Sequence, residues 1–262
     1  LKAALAATTA LGILLLTACG DDSSPVTVTF TPAIPEDTPE LSKAAILDAT
    51  VGNIRQRAQL YGIEIPEIVV GDDNTITVTA EGIDETTALE LFGRRASVEF
   101  KRPLLTTDGI VTCKTASGEE FGVLPANVNP DDASASPARC FARDKIGDPV
   151  WTAAVASGGE QLTSDAVRDD GWTARDDQLV VSFTEAGSTT LESLTNELVG
   201  YPLGLFLDGH LIAAPRISGA ITNGEAVISG FGEADARMRA AQLNAGPLAA
   251  ELTKLSPASS AP

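Results

Sequence analysis

The sequence predicts an α+β chain of two small ferredoxin-like units joined by an irregular insertion. Residues 26–102 run strand, helix, strand, strand, helix, strand, the order of a split βαβ unit. Residues 151–252 carry a second alternation of period-two and helical apolar segments, and residues 103–150 between them are rich in Asp, Ser, Ala, Gly and Pro with little periodicity. With 262 residues, 44% hydrophobic and 21% charged, the composition is that of a globular chain of one or two domains. Acidic residues number 36 against 18 basic, a net charge of −18 that repels phosphate backbones and argues against nucleic acid as a partner.

Residues 1–18 read as an export leader. Lys2 precedes an apolar run over 3–16, broken only by Thr8 and Thr9, too short to span a bilayer. The run ends in Leu16-Thr17-Ala18-Cys19, which resembles the bacterial lipobox, so Cys19 is expected to be the acylated first residue of the mature chain. A polar stretch from Gly20 to Pro25 follows, and residues 19–40 are assigned as a tether that includes a first strand candidate at 26–30. The body is therefore placed on the extracytoplasmic face of the cell membrane, held by lipid alone.

In the first unit, residues 41–102, apolar positions spaced by three or four predict a helix from 40 that stops at Tyr61-Gly62. Strands at 67–70 and 75–80 flank the turn Asp72-Asp73-Asn74; Asp84 caps a helix ending at Gly93, and 97–102 closes the unit as its last strand. The insertion, 103–150, holds Cys113 and Cys140. In an exported chain these are expected to form a disulfide, the alternative being two free thiols open to oxidation.

The second unit, 151–252, has a strand at 179–183 and a helix at 185–199 with Leu191, Leu194 and Leu198 on one face. Segments 203–207 and 211–214 flank Asp208-Gly209-His210, a hairpin turn signal. A strand at 226–229, a helix at 233–243 and a final strand at 248–252 complete it, and 253–262 is a loose tail. The units meet only through the insertion and the return near Gly246-Pro247, so they are expected to move as two pieces.

One His and no CxxC exclude the usual zinc sites, and no GxSxG, P-loop or HExxH occurs. The Asp pairs at 21–22, 72–73, 131–132, 169–170 and 176–177 lack calcium-loop spacing and read as solvated loop acids, and His210 reads as an exposed turn residue. No catalytic residue, metal ligand or cofactor site is expected.

Two stretches resemble the first extracytoplasmic domain of SecD, an accessory subunit of the Sec translocon. Residues 54–68, from Ile54-Arg55-Gln56-Arg57-Ala58 through Gly62-Ile63-Glu64-Ile65-Pro66, resemble its helix-to-strand signature, although Gln56-Arg57-Ala58 replaces the usual Arg-Val-Asn. Residues 207–217, 221–231 and 240–248 resemble its head subdomain, with Asp208, Gly209, Pro215, Gly224 and Gly230 as the signature positions; Phe231-Gly232 departs from the common Asn-Phe-Thr. The resemblance implies a base at 41–102 and a head at 151–252. The sequence ends after the head-like stretch, before the family's transmembrane helices and their intramembrane Asp and Arg, so no proton-driven motor is expected. It implies a non-enzymatic module that assists export by binding unfolded or translocating polypeptide, with translocon subunits as further partners. The alternative is a cell-envelope lipoprotein serving as an assembly module for an unrelated partner. The residues that meet polypeptide are not named by the motifs; Leu203, Phe206 and Phe231 fit a groove or a core.

Overall fold

A computed structural model describes residues 24–64, 66–128 and 138–255. Cys19, the export leader and the Asp pairs at 21–22 and 131–132 lie outside the described residues. In the first unit, β1 (Val26–Pro32), α1 (Glu40–Tyr61), β2 (Glu67–Val70), β3 (Ile76–Ala80) and α2 (Glu85–Gly93) follow the expected order. Alternation in β1 and β3 sends Val28, Phe30, Ile76 and Val78 into the core. Their opposite face carries threonines, paired across the strands at 3.0 Å for Thr27 with Thr79 and 3.1 Å for Thr29 with Thr77. Helix α1 ends where Gly62, at φ +89°, turns left-handed and donates its N–H to Ala58 and Gln59 carbonyls. Helix α2 starts where the Asp84 carboxylate accepts the Thr87 N–H at 2.7 Å.

After α2, β4 (Val98–Pro103) leads into the insertion, which holds β5 (Val111–Lys114), β6 (Glu120–Val123), β7 (Cys140–Phe141) and β8 (Ile146–Pro149). The insertion was expected to be irregular; it is a four-stranded sheet in the order β6-β5-β8-β7. Its strands of two to four residues are too short to show a period of two. Strand β8 pairs with β5 at Asp148 and Pro149 and with β7 at Ile146 and Gly147. At this exchange of partners a Cβ on Gly147 would strike the Lys114 carbonyl. Cys113 and Cys140 are joined by a disulfide with their Cα atoms 6.3 Å apart, buried among Val111, Val123 and Val128.

The remainder comprises β9 (Trp151–Ala153), β10 (Val167–Arg175), β11 (Gln178–Phe183), α3 (Glu185–Glu197), β12 (Gly204–Leu207), β13 (His210–Ala213), β14 (Glu225–Ser229), α4 (Glu233–Ala245) and β15 (Leu252–Lys254). Three further sheets result, in the orders β15-β1-β3-β2, β10-β11-β14 and β13-β12-β4-β9. The chain is α+β as expected, and the first unit has the ferredoxin-like arrangement, all antiparallel. Its closing strand, however, is β15 rather than 97–102. Ala96, at φ +64°, turns the chain away from the first sheet, and β4 pairs instead with β12 and β9.

The expectation that the units meet only through the insertion and the return near Gly246-Pro247 is corrected by helix α4, which both cores share. Helix α4 contributes Ala236, Ala240 and Leu243 to the core of the second unit and Met238 and Ala241 to that of the first. Leu248, just beyond it, is buried in the first core and its N–H reaches the Arg95 carbonyl at 2.8 Å. A helix that fills two cores resists relative motion, because sliding would open cavities in both.

A candidate binding groove in the second unit

An apolar concavity lies where the β10-β11-β14 sheet meets β12 and the chain after β13. It encloses about 190 Å³, and its walls include Phe100, Val181, Leu203, Leu205, Ile217 and Ile228. Arg216 is the only charged side chain in its lining. Phe183 and Leu191 also line it, and Phe100 stacks at 6.4 Å on Trp172. Such a wall gains from burying an apolar side chain, about 1.5–3 kcal/mol for a Leu or Phe. Of the aromatic and aliphatic residues the sequence left undecided, Leu203 lines the groove, whereas Phe206 packs edge-on against Trp151 at 5.5 Å and Phe231 is buried in the core.

Beside this groove runs a free strand edge. Among the described residues β14 pairs only with β11, and the Phe183 N–H donates to the Gly224 carbonyl at 2.9 Å. Alternation from that bond turns the N–H and C=O of Glu225, Val227 and Ser229 outward. The Glu225 N–H, so placed, takes the Asn223 side-chain oxygen at 3.3 Å. Val227 is half exposed on this edge.

At the far end of β12, the Asp208-Gly209 turn has both φ angles positive, +51° and +77°, the geometry of a two-residue type I′ hairpin. The Asp208 carboxylate accepts the N–H groups of Ser97 at 2.8 Å and Ala96 at 3.1 Å, and its own N–H donates to the Ser97 carbonyl at 2.8 Å.

These features coincide with a known subdomain: residues 138–250 match the family model of the SecDF P1 head subdomain. This stretch is a SecDF-type P1 head. The SecD protein translocase subunit of Syntrophobacter fumaroxidans is 30% identical over 214 residues, covering 80% of this chain and 38% of that protein. SecDF of Thermus thermophilus is 26% identical over 181 residues, 68% of this chain and 23% of that one. The chain thus spans well under half the length of these relatives. A crystal structure of SecDF in its super-membrane-facing form superposes with a TM-score of 0.53 at 23% identity, over 89% of this chain and 30% of that one. Another SecDF structure, of a membrane component that enhances protein export, gives 0.50 at 22%, over 88% and 98%; both likenesses speak to the fold. Together the matches make the body of the chain similar to a SecD-type first extracytoplasmic domain.

The signature positions divide between groove and frame. Pro215 lines the groove and its carbonyl accepts the Leu203 N–H at 3.0 Å. Gly224 and Gly230, at φ +70° and +99°, turn the chain into and out of β14, and Asp208 and Gly209 form the turn that docks the head on the link after α2. Among the described residues no cluster of His, Cys, Asp or Glu fits a metal, and no helix is long and apolar enough to cross a membrane. His210 is exposed, its Nδ1 2.9 Å from the Asp208 carbonyl.

Two frame residues escaped the sequence reading. Asn53 and Arg57 lie one turn apart on α1 and reach the end of α4, Asn53 Nδ2 donating to the carbonyls of Ala245 at 2.7 Å and Gly246 at 3.1 Å. Arg57, fully buried, donates to Leu91 at 3.1 Å, Arg95 at 3.0 Å and Gly246 at 3.1 Å, and also to Arg94. Burial lowers its pKa to about 10 against the opposing field of Asp208, which leaves it charged at neutral pH. A signal for it existed: position 57 falls on the stripe Leu47, Thr50, Val51, Ile54 and Ala58 that α1 buries. Within the head, Glu197 accepts the Ser157 N–H at 2.7 Å and an Arg102 N–H at 3.2 Å. Burial pushes its carboxyl up, but Ser157 and Arg102 together outweigh that and hold it below the usual carboxylate range.

Proposed function

We propose that this domain assists protein export by holding unfolded or translocating polypeptide along the free edge of β14, with an apolar side chain seated in the adjoining groove. The supporting observation is the juxtaposition itself: outward main-chain groups of Glu225, Val227 and Ser229 beside an apolar wall. Main-chain pairing accepts varied client sequences, and a single apolar pocket adds affinity without demanding a motif. The relatives are protein translocase subunits, which fits a client of this kind, with translocon subunits as neighbours. Acylation of Cys19 would keep the groove at the extracytoplasmic face of the membrane. The lining offers no acid-base pair, and its one hydroxyl, Ser218, has no His, Asp, Glu or Lys in the same lining to activate it, in keeping with binding rather than turnover.

The test is Val227→Pro. Proline is tolerated at an edge position whose N–H faces solvent, yet it removes the outward donor. Anisotropy of a fluorescent, unstructured apolar peptide should show saturable binding to the wild-type domain and a large loss in the variant, with unchanged melting. Equal binding by both would overturn the edge-pairing reading. Recovery of one folded envelope protein in pull-downs, with no peptide binding, would favour the assembly-module alternative, and peptide hydrolysis would overturn the non-enzymatic reading. Cys19→Ser should release the protein from the membrane fraction or leave it unprocessed; unchanged processing, mass and fractionation would remove the anchor.

A further inference from the structure

The groove is not built by the head alone. Its wall after β13 is tied to the strand leading into β12 by main-chain bonds from Gly200 N–H to the Ile217 carbonyl at 2.7 Å and from Ile217 N–H to the Tyr201 carbonyl at 2.9 Å. Arg216 sits in this wall, and its guanidinium leaves the head: Nη1 donates to the Pro125 carbonyl at 3.0 Å and Nη2 to the Val128 carbonyl at 2.7 Å, while Nη1 also reaches Gly200. Pro125 and Val128 bracket the short turn that ends the first half of the insertion. Val128 bridges to Cys140, which is bonded to Cys113. A second tie reaches the same strand, the Tyr201 hydroxyl donating to the Gly109 carbonyl at 2.8 Å.

The geometry points to the disulfide-stapled insertion as a brace for the groove, with Arg216 as the positioning residue that transmits its rigidity to the wall. The planar guanidinium suits this task, since it joins three carbonyls from two substructures in one fixed fork. The disulfide holds Cys140, and with it the Val128 carbonyl, where the fork needs it. The brace deepens the polypeptide-binding reading and rests on it for its consequence, but its mechanical part stands without any client.

Two readouts on the mature chain separate these. The first is amide hydrogen exchange at Gly200, Leu203 and Ile217, measured in Arg216→Ala and in Cys113→Ala/Cys140→Ala. Both variants should exchange about tenfold faster there, the loss expected for a charged hydrogen-bond fork, with the amides of β1 and β3 unchanged. The second is affinity for the same unstructured peptide, expected to fall about tenfold in each variant with no further loss when they are combined. Arg216→Lys, which keeps the charge without the fork, should behave like Arg216→Ala; full rescue by lysine would reduce the effect to charge. Unchanged exchange at the wall, while insertion amides such as Thr112 and Val150 loosen in the cysteine variant, overturns the brace. Faster exchange at the wall with wild-type affinity in both variants overturns its role in client capture, whereas a wild-type domain that binds no peptide refutes the proposed function and leaves the brace to the exchange result.

Discussion

Arg57 and Asp208 grip the same short link, residues 94–97, from opposite sides. Arg57, from base helix α1, takes the carbonyls of Arg94 and Arg95; Asp208, from the head hairpin, takes the N–H groups of Ala96 and Ser97. Opposite charges thus satisfy opposite ends of consecutive peptide units, and the left-handed Ala96 between them is held where the chain leaves the base for the head. The base–head orientation is fixed by this clamp and by the helix α4 that both cores share.

Replacing Asp208→Ala should cost about 2–3 kcal/mol, since two charge-assisted bonds vanish and alanine fits φ > 0 poorly. Asp208→Asn, which keeps one acceptor and tolerates that backbone, should cost about half as much. Urea unfolding measures both; equal stabilities for wild type and Asp208→Ala would show that the carboxylate bears no part of the clamp.

Arg57→Met should be more severe, about 3–5 kcal/mol, because buried carbonyls at the ends of α2 and α4 lose their donor. Exposed Arg55, two positions earlier on the same helix, serves as control, and Arg55→Ala should stay within about 0.5 kcal/mol of wild type. A wild-type melting curve for Arg57→Met would contradict the assignment.

Glu197→Gln should destabilise the head by about 1 kcal/mol at neutral pH. The folded-state carboxyl titrates below its ordinary value of 4.5, so its stabilisation is present above that value and is lost as pH falls through the depressed one. Denaturant titrations of wild type and variant should therefore converge as the pH is lowered from neutral toward about 3. A gap that widens in acid would reverse the sign.

Removing the disulfide with Cys113→Ala/Cys140→Ala should cost about 3–4 kcal/mol in the chain-entropy picture, given the 27-residue separation. The insertion's own core is small, built from Val111, Val123, Val128, Ala138 and the two cysteines. Limited proteolysis should then cut within 103–150 first and leave base and head fragments intact. Cleavage spread evenly over the chain would mean that the insertion is not a separate cooperative unit.

Much of this architecture is local and therefore written in local patterns. The stripe of α1, its stop at Gly62, the Asp84 cap, the alternation of β1 and β3 and the Asp208-Gly209 turn each depend on neighbours a few residues away. The disulfide was legible from compartment and cysteine count, and the head from its signature. What the sequence could not carry was the choice of strand partner: the last strand, expected at 248–252, forms at Leu252–Lys254 within the expected tail, and only the turn at Ala96 and the path of α4 decide that it, rather than β4, closes the first sheet. Strand pairing joins residues far apart in the chain, so it is settled by which arrangement buries the most apolar surface while satisfying every main-chain group. The same holds for Arg57 and Arg216, whose partners are main-chain carbonyls contributed by distant segments, and for the groove, which exists only where two sheets and the braced wall meet.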